Sequence, residues 1–520
     1  MNLSRSGILN NWTVHKRISR VANDALSYQV SFLTWRWLAT FVVAPLGLLT
    51  FMAALIAQSL GIGGQGGSNF AEMAIASYGL GGFIAGLGIA LPASRTRLVK
   101  LSPRFMAALD RPLRPVWILL HVAVLSGVFV FYVTTFVFHP HQLQESWLFG
   151  ADNMKRVYFG AFDGWGAYRH LLFVFTAVPL FKVVRSVQIV IGEGQVLLNV
   201  AFVIPLALAG AVNLYVAFRI FLINHEDKVS ALLFTLLYGV AASTWIFSSF
   251  PETHLVTTLA SNIFLVILIS QPNVMSSLPA LATMNAVAAY AAPQQVLLAL
   301  VPGFSYIIQN RWSLRSFGPV IKYGLIVGVL FLIPYLTVLK QPDNEVLYFV
   351  RGWADVGNFF EPEWYILVFL NFLPFAVIGP VVHPNIYSEH SLAVLGQLSV
   401  PWMILTSIFA IFAARCLWGL RSSHAKAKRL VPGLALFAIA YILVFLYVDP
   451  RESFIFAVMS LLPWLLILHT GYVGISSRLW RIVLACLIIG IFINNLMLMD
   501  FINELIEAHP GDWIILESRI

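Results

Sequence analysis

Three polar clusters interrupt an otherwise apolar chain, and each holds residue types that could do chemistry. The first is HPHQLQESWLFGADNMKRVYFGAFDGWGAYRH, residues 139–170. It sets Asp152 behind an apolar anchor, Trp147-Leu148-Phe149, and follows it with Arg156, Asp163, Arg169 and His170. A carboxylate such as Asp152 can take the proton of an attacking hydroxyl if it reaches the reacting group unhindered. Arg156 lies four residues on, so on a helix the two would be neighbours and could form no more than a surface ion pair. The second cluster is Ser248-Ser249-Phe250-Pro251-Glu252-Thr253-His254, between two apolar runs. Glu252 and His254 could bind substrate there, or cap the helix that a Pro-led turn introduces. The third, residues 351–364, holds Arg351, Trp353, Asp355, Asn358, Glu361 and Glu363. Stacking rings beside bidentate polar groups would suit a sugar, with Trp353, Asp355 and Glu361 as the binding residues. The same residues would equally make an interfacial aromatic belt with solvated charges.

Other chemistries lack their residues. There is no phosphate-binding GxxxxGK[ST], no HExxH and no CxxC. His139 and His141, two apart in a loop, make no convincing metal set, so no cofactor is expected and a metal requirement stays open. Cys416 and Cys486 both sit in apolar stretches and give no evident disulfide. Asn199, Asn213 and Asn262 read as hydrogen-bonding residues between helices rather than an ion path.

The elements that must position these clusters are membrane helices. Of 520 residues, 59% are hydrophobic and 11% charged, against about 45–50% and about 25% in soluble domains. So few charges cannot cover a soluble fold of this size, and the fold class is an all-α polytopic transmembrane bundle. At about 20 apolar residues per crossing, the chain has room for roughly 11–14 spans, with an outer loop and juxtamembrane helices. The net charge of +9 is no nucleic-acid signal, because the bases cluster in short loops beside apolar runs.

Residues 1–36 read as a basic cytoplasmic N-terminus without a cleavable signal. Residues 37–115 read as two spans and a basic cytoplasmic loop, 95–114. A third span, 116–138, would then put 139–170 outside. The apolar run 171–181 is too short to cross at 1.5 Å per residue, and is expected to dip in and stay on the outer side. Residues 116–339 form the expected core and 340–520 a C-terminal half. In that half, counting every run as a span leaves the bases from Arg415 to Arg429 outside. Residues 365–382, with Pro374 and Pro380, must therefore be re-entrant or a neighbour miscounted. Residues 278–308 read as one broken span or two.

The order of parts resembles the GT-C superfamily of integral-membrane glycosyltransferases. The residues that carry the likeness are Phe149-Gly150-Ala151-Asp152, Tyr168-Arg169-His170 and Phe250-Pro251-Glu252-Thr253, which look like motifs of bacterial members. The likeness covers residues 116–270. It implies a polyprenyl-phosphate sugar donor, an extracytoplasmic glycan, lipid or protein acceptor, and transfer at the outer face of the inner (plasma) membrane. Membrane lipids are expected partners and nucleic acid is not. Asp152 would be the catalytic base, with Asp163 second. Arg156, Arg169 and His170 would hold the donor phosphate. Two departures are that Asn153 follows Asp152 where paired acids are common, and that two spans precede the catalytic one. The other readings are a polysaccharide polymerase or ligase, and a transporter or lipid flippase. The last would carry repeats and broken helices, neither of which is evident in the sequence.

Overall fold

The computed structural model describes residues 127, 131, 195–225, 227–249, 254–270, 278–338, 356–380, 399–423, 428–448, 453–475 and 477–508. All belong to one of the chain's two units, His121–Ile520. Among the described residues there are helices and no strands. Five helices among the described residues are long and apolar enough to cross a membrane, and the chain is a multi-pass helical membrane protein.

The first helix, α1 (Gln195–Asn224), precedes α2 (Lys228–Val240) and α3 (Ala242–Ser249). Asp227 caps α2, its side chain accepting from Val229 N at 3.1 Å. At Ala241 the backbone turns extended, and α2 and α3 meet at a bend of 59°. Next come α4 (His254–Ser270), α5 (Leu278–Ala291), a 3₁₀ turn (Pro293–Ala299), α6 (Leu300–Gln309) and α7 (Leu314–Val338). A second 3₁₀ turn, Val356–Phe360, leads into α8 (Pro362–Phe372) and the single turn α9 (Pro374–Val377). The chain continues through α10 (Val400–Gly419), α11 (Val431–Val448), α12 (Ser453–Val473) and α13 (Arg478–Ala508). Ser399 caps α10 through Trp402 N at 3.3 Å.

Helix α12 is the axis of the bundle. It packs against α1, α2, α3, α4, α8, α9, α10 and α11, and its span Phe456–Val473 is the most buried of the five. Close approach to α10 depends on glycine. A Cβ on Gly471 would overlap the Cys416 carbonyl oxygen, and one on Gly419 would overlap the Gly471 carbonyl. Gly433 of α11 meets the Val301 carbonyl of α6 in the same way.

Hydrogen bonds identify the two ends of the bundle. At one end Arg429 Nη2 donates to Ile269 O at 2.6 Å, and Gln309 Nε2 to Arg429 O at 2.9 Å. Burial lowers the pKa of this guanidinium below the ordinary arginine value. Lys428 Nζ donates to Arg421 O at 2.8 Å, and Arg481 pairs with Asp227 at 3.1 Å. Every lysine and arginine among the described residues lies toward this end, from Arg219 on α1 to Arg478 and Arg481 at the start of α13. At the other end Phe247 faces Phe454, His254 faces Phe456, and Asn371 Nδ2 donates to Ser453 Oγ at 2.8 Å. Apart from Asp227, the described carboxylates, Glu361 and Asp500, belong to this second end.

These ends settle the two ambiguous runs. Residues 278–308 form a hairpin: α5 enters from the basic end, turns at Ala292-Pro293, and α6 returns to Arg429. Gln295, at the turn, bonds Ser261 of α4 and Tyr441 of α11, both midway along their helices. Residues 365–377 form α8 and α9, which begin beside Tyr447 and reach only as far as Ser243, Trp402 and Asn495. The cluster from Arg415 to Arg429 thereby stays at the basic end.

Candidate functional site

Of the ten residues proposed from sequence for catalysis or binding, two, His254 and Glu361, are described. His254 opens α4 and is 4% exposed, walled by Phe247 at 5.6 Å and Phe456 at 4.8 Å between ring centroids. It is a buried aromatic-cluster residue rather than a cap open to solvent. Glu361 is exposed and stands immediately before α8 without a side-chain capping bond. The two lie at the same end of the bundle, each beside a stacked ring pair with α11: Phe456 on Phe445 at 4.3 Å, and Phe359 on Tyr447 at 6.1 Å. Asp152, Asp163, Arg156, Arg169, His170, Glu252, Trp353 and Asp355 lie outside the described residues. Ser249 and His254, which flank the Phe250-Pro251-Glu252-Thr253 motif, are both at the end away from the bases.

Polar side chains run through the apolar interior in three groups. In the first, Asn262 Nδ2 donates to Asn213 Oδ1 at 2.9 Å and to the Tyr238 hydroxyl at 3.4 Å. In the second, Gln295 accepts from Ser261 at 3.0 Å and donates to the Tyr441 hydroxyl at 2.9 Å, while Asn285 Nδ2 donates to Gln295 O at 2.9 Å. Tyr323 of α7 donates to Asn285 Oδ1 at 3.3 Å, fastening the outer helix to the hairpin. The third lies at the basic end: Asn224 Nδ2 donates to Thr470 Oγ1 at 3.0 Å and lies 3.3 Å from His469 Nδ1, with Ser230 3.4 Å from His469 Nε2. Asn213 and Asn262 thus bond helix to helix. Among the described residues, no cluster of His, Cys, Asp and Glu could hold a metal ion.

The feature that sequence reasoning missed is a junction between the bend of α2 and α3 and the C-terminal end of α9. Asn495 Nδ2 donates to Val240 O at 2.7 Å and to Val377 O at 2.9 Å. Its Oδ1 accepts from Gly379 N at 2.8 Å, and Asn494 Nδ2 donates to Gly379 O at 2.8 Å. Ser243 Oγ donates to Ala376 O at 3.0 Å and Trp402 Nε1 to Ile378 O at 2.9 Å. The bend between α2 and α3 and the C-terminal end of α9 therefore meet at one amide pair on α13. Backbone groups freed by a break inside hydrocarbon must be satisfied from within the protein, which is what these side chains do. The signal available in the sequence was the pair Asn494-Asn495 inside the apolar run 482–499.

No protein-family model, no curated protein and no solved structure matches the chain.

Proposed function

We propose that the chain is a membrane glycosyltransferase that moves a sugar from a polyprenyl-phosphate donor to an extracytoplasmic acceptor. The acceptor oxygen attacks the anomeric carbon as Asp152 takes its proton. The bond to the phosphate oxygen breaks, and polyprenyl phosphate leaves with inversion at the sugar. Arg156, Arg169 and His170 stabilise the phosphate charge by charge-assisted hydrogen bonds. The observation that supports this reading is the position of Ser249 and His254, which flank one family-like motif, at the end free of Lys and Arg among the described residues. Under the positive-inside bias that end is the outer one, the side on which such transfer would occur. In a transfer assay with polyprenyl-phosphate sugar, Asp152→Asn is expected to lower turnover by about 10²–10⁴-fold, with donor binding and folding retained. Asp163→Asn should cost much less. Near-normal transfer by Asp152→Asn would refute the assignment.

A second reading, a transporter or lipid flippase, is favoured by the interrupted helix α2–α3, whose bend meets the end of α9 at Asn495. Broken helices are the usual setting of transporter sites. Here, however, the freed backbone groups at Val240, Ala376, Val377, Ile378 and Gly379 already have side-chain partners. Substrate movement across proteoliposomes without any sugar transfer would select this reading.

A further inference from the structure

The turn between α6 and α7 is held in a conformation that its residues do not favour. Arg311 and Trp312 have φ of 53° and 56°, the only non-glycine residues with positive φ among those described. Left-handed backbone is ordinarily left to glycine, and strained positions that persist are over-determined by their surroundings. That is the case here. Arg311 N donates to Ile308 O and Trp312 N to Ile307 O, both at 3.1 Å, while Ser313 N donates to Asn310 O at 3.2 Å. Asn310 Nδ2 bonds Tyr306 O at 2.8 Å, and Ser316 Oγ bonds Ser313 O at 2.6 Å. The Trp312 ring also stands edge-on to Phe304 at 5.8 Å.

The outcome of this geometry is exposure of basic and apolar side chains together. Trp312 is 58% exposed and Leu314 90%, with Arg311 and Arg315 exposed beside them. Lys322 lies seven residues beyond Arg315 on the same face of α7, and its long stem lets the ammonium reach back toward the turn. Among the described residues, none of these three bases forms an ion pair, and the one carboxylate at this end, Asp227, is held by Arg481. Below them α7 has the least buried of the five spans. Its outward face carries Ile321, Leu325, Val329 and Leu332. Gly318 and Gly328 notch that face, with open space where a Cβ would stand.

We propose that the α6–α7 turn and the outward face of α7 form a seat for one anionic phospholipid of the leaflet at the basic end. Its phosphate lies among Arg311, Arg315 and Lys322, Trp312 sits at headgroup depth, and an acyl chain follows the notched face from Gly318 to Leu332. Charge complementarity selects the occupant: a zwitterionic headgroup carries its own cation, which the three bases repel and which cancels its phosphate, whereas an anionic headgroup brings net negative charge. Tryptophan at the interface and uncompensated bases at helix ends are what anionic headgroups recognise.

The full-length protein is delipidated in non-ionic detergent and titrated with phosphatidylglycerol, phosphatidylcholine or inorganic phosphate while thermal unfolding is followed. Phosphatidylglycerol should raise the midpoint saturably, and the other two should not. The R311Q/R315Q/K322Q variant should unfold normally in phosphatidylcholine and bind phosphatidylglycerol on the order of 100-fold more weakly, each base contributing about a factor of five. Arg478→Gln, at the same end but on α13, should keep wild-type affinity. Undiminished affinity in the triple variant overturns the site. Equal loss in Arg478→Gln shows only diffuse attraction to basic charge and overturns it also. A matching shift from inorganic phosphate overturns the lipid as occupant.

Discussion

At the scale of residues, one side chain does what three ordinary backbone partners would have done. Asn495 serves Val240 O, Val377 O and Gly379 N at once. Replacing it by alanine strands all three groups away from water. Each unsatisfied buried group costs about 1–3 kcal/mol, although hydrogen bonds measured inside membrane bundles average only about 0.6 kcal/mol. Asn495→Ala is therefore expected to lose about 2 kcal/mol or more, and Asn494→Ala less, because it serves only Gly379 O and its neighbour. Thermal unfolding in detergent measures both, and equal losses would contradict the unequal division of labour. The sequence shows the types of such residues but not their partners. Asn213 and Asn262 could be read as interhelical, and they bond each other. Asn495 could not be assigned, because its partners lie 255 and 118 residues away. The residues proposed for chemistry, Asp152 above all, rest on the motif likeness.

At the scale of elements, apolar runs foretold helices well where the helix is uninterrupted. The run at 400–417 became α10 (Val400–Gly419), and that at 430–448 became α11 (Val431–Val448). The bend at Ala241 is illegible for a physical reason, whereas Pro374 marks the interruption in 365–382 and 278–308 reads as one broken span or two. Hydrophobicity reports where backbone can sit in lipid, whereas a break is licensed by side chains from elsewhere. Nothing at Ala241 announces the 59° bend; Asn495 permits it. Helix contacts give a sharper test. Gly471→Ala would drive a methyl group into the Cys416 carbonyl, which is backbone and cannot swing aside. Gly328→Ala meets open space and exchanges glycine for a better helix former, worth about 0.8–1 kcal/mol in exposed helices. The first variant should lower the unfolding midpoint by several degrees and the second should leave it unchanged or raise it. The reverse order would mean that α10 and α12 do not touch as described.

At the scale of the whole molecule, the bundle is strongly polarised. Among the described residues, all Lys and Arg stand toward one end, and the carboxylates other than Asp227 toward the other. By the positive-inside bias the basic end is expected to face the cytoplasm. With both native cysteines replaced, Ser313→Cys should react with an impermeant maleimide only from the cytoplasmic side, and Gly357→Cys only from the outer side. Labelling of both from one side would mean that α7, which lies between them, does not cross the membrane.

The junction at Asn495 also bears on the order in which the protein can be made. Helices α2, α3, α8 and α9 leave the ribosome before α13 exists. Until that last described helix is synthesised, the carbonyls of Val240 and Val377 lack the amide that serves them in the finished bundle. The earlier segments must wait in the insertion machinery, borrow water, or sit unfinished at the interface. Stability of the N-terminal side of the bundle is thus decided by its last helix. A nascent chain stopped before Arg478 would carry an open bend at Val240 and an open helix end at Val377, a mark by which quality control could tell an incomplete copy from a complete one.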